Sequence, residues 1–87
     1  MKKIKNSGKF ELQLEDGVAE CAYFYGNENT IVFYHTFVPV SHRGKGIAGV
    51  LIKEALDFAK KHNFRIKATC SAVQTYLRRH PEYISDQ

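Results

Sequence analysis

Residues 30–48 read TIVFYHTFVPVSHRGKGIA, and a change of pattern inside this stretch decides the fold. Residues 30–38 are rich in β-branched and aromatic side chains, which predicts a strand. Alternation places four of them on one apolar face, namely Ile31, Phe33, His35 and Phe37. Pro39 breaks the pattern. Apolar residues then recur at helical spacing from residue 46 to residue 62, which predicts an amphipathic helix.

The residues before this stretch predict an antiparallel meander. Residues 9–15 alternate between apolar and polar side chains, as a half-buried strand does. Asp16-Gly17 follows, and this dipeptide favours a two-residue hairpin turn. Residues 18–25 form the return strand, and residues 26–29 carry a second turn signal.

The residues after the long helix predict one more strand and one more helix. Residues 65–70 form the strand, with Ile66, Ala68 and Cys70 on one face. Ser71 and Gln74 have the spacing of a capping box, so a helix is expected over residues 72–79 and Pro81 ends it.

The predicted order is three strands, a helix, a strand and a helix, in a single domain over residues 1–87. The long helix is a right-handed crossover that makes its two flanking strands parallel neighbours. The sheet is therefore mixed, and the fold class is α+β, with helices packed on the sheet.

Composition narrows the function classes. The 87 residues carry a formal charge of +4, which suits an anionic ligand or serves solubility alone. No apolar stretch has the length of a membrane span, and we expect a cytoplasmic monomer. Cys21 and Cys70, the only cysteines, are expected to be reduced thiols, with Cys21 in a packing role. No spacing typical of a zinc site occurs, so no metal is expected.

The loop before the long helix has the features of an anion site. Its glycines allow sharp turns and a close approach of the backbone to a ligand. The first helix amides lack intrahelical acceptors and attract anions together with the helix dipole. Arg43 and Lys45 add positive charge beside them. The loop therefore indicates a pyrophosphate cradle. The alternative is an ordinary turn with a solvated basic pair.

The pattern Arg43-x-x-Gly46-x-Ala48 between a strand and a helix resembles the signature of the GNAT (N-acetyltransferase) superfamily. The chain from about residue 30 to residue 83 is similar to a family of very small GNAT-like proteins. Besides the loop, that similarity rests on His35-Thr36, Thr69-Cys70, Tyr76 and His80-Pro81-Glu82-Tyr83. The resemblance implies a minimal GNAT fold, acetyl-CoA as co-substrate and an amine acceptor. Larger members bind the acceptor with helices that Asp16-Gly17 replaces here.

The resemblance implies a set of candidate coenzyme-binding residues, which are Phe37, Val38, Val40, His42, Arg43, Gly44, Lys45, Gly46, Ile47, Ala48, Cys70, Tyr76 and Arg79. The strand before the loop would hold the pantetheine arm through its backbone. Arg79 belongs to a basic cluster with Arg78 and His80. That cluster either contacts a coenzyme phosphate or is simply well placed at a helix C-terminus.

Three residues are candidates for catalysis. Cys70 ends a strand before a helix N-terminus, where a thiol pKa is lowered, and the resemblance places it against the acetyl thioester; the alternative is a buried thiol. Tyr76 matches the position of a tyrosine that protonates the CoA thiolate in many GNAT enzymes, or it is a core aromatic. His35 is a candidate general base or a core histidine.

Three functions remain open at this point. The first is an acetyl-CoA-dependent N-acyltransferase, acting directly or through Cys70. The second is a CoA-binding module or sensor without efficient catalysis, which the missing acceptor helices favour and which a turnover assay would distinguish. The third is a small nucleic-acid-binding domain, for which the aromatic strands would need interleaved basic residues that they lack.

Overall fold

The computed structural model describes residues 4–84, apart from the side chain of Lys5, and shows a five-stranded sheet with two α-helices. The elements are β1 (Ile4–Asn6), β2 (Lys9–Leu14), β3 (Gly17–Tyr25), β4 (Thr30–Phe37), α1 (Ile47–Lys61), β5 (Arg65–Ala68) and α2 (Ser71–Arg79). Short 3-10 turns span Val40–His42 and Pro81–Tyr83. The predicted α+β class is confirmed.

The strands lie in the sheet in chain order, β1 to β5. β1 to β4 are antiparallel, and β4 and β5 are parallel. The predicted meander and the predicted parallel pairing of the strands that flank the long helix are therefore correct. The sequence reading missed β1, since three residues are too few to show a strand periodicity.

The predicted hairpin turn is wrong by one residue. Leu14 pairs with Gly17, so the two residues of the turn are Glu15 and Asp16. Asp16 thus lies at the tip of the hairpin, and its exposed side chain reaches the loop that follows β4.

One face of the sheet and both helices share a single core. Its central side chains are fully buried, and the largest of them are Phe33, Ile31, Leu51, Leu56, Val73 and Cys21. The sequence pattern predicts an apolar stripe on α1 that consists of Ile47, Val50, Leu51, Ala55, Phe58 and Ala59. This stripe is partly wrong, because Val50 is 57% exposed whereas Ile52 is buried. Ile52 and Leu56 are among the buried residues of α1, so the buried stripe is rotated from the predicted one toward these two positions.

A bulge divides β4 into two halves. Phe33 pairs with Tyr23 and His35 pairs with Ala22, which leaves Tyr34 as an extra residue in β4. The extra residue reverses the alternation beyond it. The prediction that His35 and Phe37 share the apolar face with Ile31 and Phe33 is therefore wrong: the side chain of His35 is 51% exposed and Phe37 is 41% exposed.

β5 also ends earlier than predicted. It stops at Ala68, and Cys70 is the N-cap of α2, so Ser71 is the first helical residue and not the cap. The predicted capping box is wrong, and the Gln74 side chain instead donates to the Ala68 carbonyl at 2.9 Å. The chain leaves the strand here because the amides of Thr69 and Cys70 both donate to the Phe33 carbonyl.

Candidate functional site

Helix α1 begins without a side-chain cap. Its N-cap is Gly46, in the left-handed region with φ 77° and ψ 8°. The first intrahelical bond runs from the Val50 amide to the Gly46 carbonyl, so the amides of residues 47–49 precede the first internal bond. No side chain caps this end. These amides and the positive end of the helix dipole are available to an anion.

Arg43 is held against the end of β4. Its Nε donates to the Val38 carbonyl at 3.0 Å, and its guanidinium carbon lies 5.9 Å from the centre of the Phe37 ring. The Nε bond uses one of the five N–H donors of the guanidinium. Arg43 and the exposed Lys45 therefore bring two positive charges to the loop, and one of them is fixed in place by the strand.

The β2–β3 hairpin braces the same loop. The Ser41 hydroxyl and the His42 ring both contact the Asp16 carboxylate, with His42 Nε2 2.8 Å from Asp16 Oδ1. The hydrogen bond from Ser41, more than the contact with His42, lowers the pKa of Asp16 below its ordinary value. A Cβ at Gly17 would lie 3.1 Å from Cγ of Pro39, so the hairpin backbone packs closely on the loop.

A shallow pocket of about 130 Å³ lies over the start of α1. It is lined by seven of the predicted coenzyme residues, which are Val38, His42, Arg43, Gly44, Gly46, Ile47 and Ala48. A Cβ built on Gly44 or Gly46 would meet no atom within 4 Å, so the space beside the two left-handed glycines is open. The loop geometry thus brings these seven residues together around one concave surface. Three other predicted residues of the segment, Phe37, Val40 and Lys45, do not line it.

The glycines at 44, 46 and 49 also have the spacing of a dinucleotide-binding fingerprint. That fingerprint acts in the first turn of a doubly wound parallel sheet. In this chain β4 is antiparallel to β3 and parallel only to β5. The glycine spacing therefore occurs in a sheet that lacks the context of a dinucleotide fold.

The end of β4 has a free edge. β5 pairs with β4 only as far as Phe33 and Ala68. Within residues 4–84, no strand pairs with this edge of β4 beyond Phe33. Cys70 lies beside the free edge, with its Sγ 3.3 Å from Oγ1 of Thr36. Thr36, which contacts the thiol, is therefore two residues before Val38, whose carbonyl holds Arg43.

The two cysteines differ in their electrostatics. Burial would raise the pKa of the Cys70 thiol, but the hydrogen bond from Thr36 and the nearby amides of Val73, Ala72 and Thr36 together lower it below its ordinary value. Burial raises the pKa of Cys21 to about 11, and its side chain is inaccessible to solvent. Cys70 is thus the thiol disposed to ionise, and Cys21 packs in the core as predicted.

The remaining predicted site residues are His35, Tyr76 and Arg79, and none of them lines the pocket over the start of α1. His35 is on the opposite face of the sheet, with Nε2 3.6 Å from the Glu20 carboxylate. Tyr76 packs partly against the core, and its ring stacks on His80 at 4.2 Å between centroids. Arg79 is exposed in the last turn of α2, a helix that packs on β4, β5 and α1.

Sequence reasoning missed two contributors to the site. Asp16 was interpreted only as a turn residue, although it holds the loop from 25 residues away in sequence. Thr36 was noted only as part of a pattern, although its hydroxyl contacts both thiols. Because these are long-range contacts, only the placement of the strands reveals them.

Residues 4–84 contain no group of three His, Cys, Asp or Glu side chains that would hold a metal ion. No helix among these residues is long and apolar enough to cross a membrane. The rings of Phe24 and Tyr34 are half-exposed, and their centroids are 5.7 Å apart. Lys9, which is positive, pairs with the negative residues Glu11 and Glu20. These aromatic rings are therefore not interleaved with basic residues alone, as stacking on nucleic-acid bases would require.

The family to which the chain is similar agrees with the fold and the loop described above. The family model described as GCN5-related N-acetyl-transferase matches residues 9–87. The chain belongs to this GNAT family. The predicted family membership is therefore confirmed, and the matched region contains the loop, the free edge of β4 and Cys70.

Vertebrate proteins are similar to part of this GNAT-family chain. The chain is 37% identical over 59 residues to Protein NATD1 of Xenopus tropicalis, and the match covers 68% of this chain and 54% of that protein. It is 34% identical over 64 residues to Protein NATD1 of Danio rerio, covering 71% and 58%. The matched region thus spans about half the length of these relatives.

A solved GNAT structure has the same fold. The NMR solution structure of a GCN5-like protein from Staphylococcus aureus superposes with a TM-score of 0.69 at 27% identity. The match covers 93% of this chain and 82% of the other. The minimal arrangement of the sheet and two helices is therefore also found in a solved protein of the same type.

Proposed function

We propose that this GNAT-family chain binds acetyl-CoA and transfers the acetyl group to an amine, with Cys70 carrying the acetyl group between them. One observation carries the proposal. The uncapped start of α1 and the Cys70 thiol flank the same free edge of β4. An anion site, an extended backbone and a nucleophile therefore follow one another along a single surface.

The residues present suit each part of the coenzyme. The pyrophosphate would meet the first amides of α1, with Arg43 and Lys45 supplying positive charge. The open space beside Gly44 and Gly46 allows phosphate oxygens to approach the backbone closely. The pantetheine arm carries amides, and the free edge of β4 offers unpaired backbone groups that match them.

Cys70 would divide the transfer into two steps. Its thiolate attacks the acetyl carbonyl carbon, a new C–S bond forms, and CoA leaves as a thiolate when its own C–S bond breaks. The acceptor amine then attacks the acetyl–Cys70 carbonyl, a C–N bond forms, and the Cys70 thiolate is released. Tyr76, on the helix that Cys70 caps, would protonate the CoA thiolate. His35 lies on the opposite face of the sheet, so solvent would accept the proton lost by the amine.

A second function is favoured by one observation. The β2–β3 connection is the two-residue turn Glu15–Asp16, where larger family members carry acceptor-binding helices. A chain without those helices would serve as a coenzyme-binding module or sensor. A turnover assay with a panel of amines separates the two functions, because a module binds the coenzyme but releases no acetylated product.

The test is mass spectrometry of the full chain after incubation with acetyl-CoA. We expect one acetyl group, located on the Cys70 peptide, and the buried Cys21 serves as the unlabelled internal control. Cys70→Ser should lose the thioester label and keep its affinity for CoA. Unimpaired amine acetylation by Cys70→Ala would contradict the carrier role, and it would support direct attack by the amine.

A further inference from the structure

The side chains of Cys21, Thr36 and Cys70 form a continuous chain of polar atoms. Thr36 Oγ1 lies 3.3 Å from Cys70 Sγ and 3.9 Å from Cys21 Sγ. This row of polar atoms forms because the bulge at Tyr34 turns the Thr36 side chain toward the face of the sheet that carries Cys21. Cys21 is the residue of β3 that pairs with Thr36. A regular strand would have placed His35 there instead.

A threonine hydroxyl has one proton to donate and two lone pairs to accept with. When Cys70 is a thiol, its S–H can donate to Thr36, and the Thr36 hydroxyl donates to Cys21. When Cys70 is a thiolate, it can only accept. The Thr36 hydroxyl must then rotate toward Cys70, and its lone pair becomes free to accept the S–H of Cys21.

Cys21 fits the second arrangement because it stays protonated. It is fully buried, and burial raises its pKa to about 11, so at neutral pH its S–H remains a donor. The arrangement therefore satisfies all three groups when Cys70 carries the charge. A charge-assisted hydrogen bond to the thiolate is stronger than the neutral bond that it replaces.

We infer that Thr36 is the positioning residue for the nucleophile, and that its hydroxyl holds Cys70 in the thiolate form with Cys21 behind it as the supporting donor. The inference rests on the proposed function, in which the Cys70 thiolate is the reacting group. Thr36 forms no bond to the acetyl group; it fixes the orientation of the sulfur and stabilises its charge. Both cysteines then have a role, although only one meets solvent.

The test is the pH dependence of Cys70 alkylation by iodoacetamide, followed by mass spectrometry in the absence of any coenzyme. Thr36→Val keeps the shape and removes the hydroxyl. We expect it to raise the apparent pKa of Cys70 by about one unit, which slows alkylation at pH 7 roughly tenfold. Thr36→Ser restores the hydroxyl and should restore the native profile.

Matched variants separate positioning from packing. Thr75→Val makes the same chemical change on α2. Among the described residues, the Thr75 hydroxyl accepts a hydrogen bond from Arg78 and contacts neither thiol. The pH dependence of Cys70 alkylation should therefore be unchanged in this variant. Thr36→Ala is the alternative if Thr36→Val does not fold, and it should shift the profile in the same direction. Cys21→Ala should shift it less, by roughly twofold in rate, since it removes only the supporting donor.

The inference would be overturned if a folded Thr36→Val protein showed the same pH dependence of Cys70 alkylation as the native protein. A folded Thr36→Ser protein that behaves like Thr36→Val would also overturn it, because the methyl group and not the hydroxyl would then be responsible. The readout needs no acetyl transfer. A shifted profile without acetylation of Cys70 would therefore support the positioning role while contradicting the proposed function.

Discussion

The two halves of β4 show how one strand serves both the fold and the site. Thr30–Phe33 pairs with β3 on one side and β5 on the other, and Ile31 and Phe33 are completely buried. The half after the bulge at Tyr34 keeps β3 but has no β5 partner, and its side chains are exposed or partly exposed. The first half holds the sheet together, and the second offers a backbone edge beside a thiol and a loop.

The difference shows that a strand edge is left open where a regular ladder ends. In the first half β3 and β5 pair with the two edges of the strand, so no strand edge remains for a ligand. In the second half β5 has ended, and the Thr36 side chain meets the Cys70 thiol beside an edge that no described strand covers. Substitutions in the two halves should therefore separate stability from binding.

The largest effect on stability is expected in the first half. Phe33→Ala removes a fully buried ring and should lower the free energy of unfolding by about 3–5 kcal/mol. That is a large part of the stability of a small domain. Phe37→Ala, in the exposed half, should lower it by at most about 1 kcal/mol and weaken CoA binding. Urea denaturation measures the stability of both variants, and calorimetric titration measures their CoA affinity. Equal losses of stability in the two variants would contradict the division of β4 into a buried half and an exposed half.

The largest effect on binding is expected at Gly46. Gly46→Val places a side chain where phosphate oxygens would meet the helix amides, and the loss of two charge-assisted bonds weakens CoA binding by roughly 100-fold or more. Because a valine at this position must adopt the left-handed conformation of Gly46, the variant should also lose about 1–2 kcal/mol of its free energy of unfolding. Gly8→Val is the control, since Gly8 also has a positive φ, 92°, with open space for a Cβ. Unchanged CoA affinity in a folded Gly46→Val protein would exclude the loop as the phosphate site.

The division also explains what the sequence could predict. Alternation and turn signals located β2 to β5 and both helices to within two residues, because local periodicity sets which side chains are buried. The loop was found because glycine spacing, a helix start and two basic residues are all local features. These are the parts of the chain in which neighbours in sequence decide the structure.

The bulge could not be predicted in the same way. Nothing in the residues around Tyr34 marks an extra residue, since the shift exists only relative to β3. The alternation therefore assigned His35 to the core and overlooked Thr36. The brace from Asp16 was missed for the same reason, because it depends on the hairpin tip meeting the loop after β4.

A smaller effect on binding is expected at Arg43. Arg43→Ala should cost about 1–3 kcal/mol of CoA affinity through the loss of a charge-assisted bond. The difference should shrink as salt is added, since part of it is the attraction of exposed charges. Arg65→Ala removes the same charge at the start of β5, which is the opposite end of the strand from the thiol, and should bind normally. Equal affinities of the two variants at low salt would mean that Arg43 is merely solvated.

The smallest effect is expected at Asp16. Asp16→Asn weakens the brace to Ser41 and His42 and should reduce CoA affinity by roughly two- to fivefold, through a looser loop. Because the native pKa of Asp16 is lowered, its carboxylate stabilises the fold above the unfolded value of about 3.9, and this contribution disappears as the pH falls through the native value. Urea denaturation should show the native chain more stable than Asp16→Asn at pH 7, and the difference should disappear once the pH falls below the native pKa of Asp16. A difference that persists in acid would point to a cause other than the charge.

The most direct test of the account is a titration of the ¹⁵N-labelled full chain with acetyl-CoA, followed by amide shifts in NMR spectra. We expect saturable shifts over residues 35–49 and at residues 70–73, which together contain the second half of β4, the loop and the thiol. The amides of residues 30–33 and of Phe24 on the open face should move little. Shifts centred on Phe24 and Tyr34, or no saturable shift at all, would contradict the claim that the free edge of β4 is the coenzyme site.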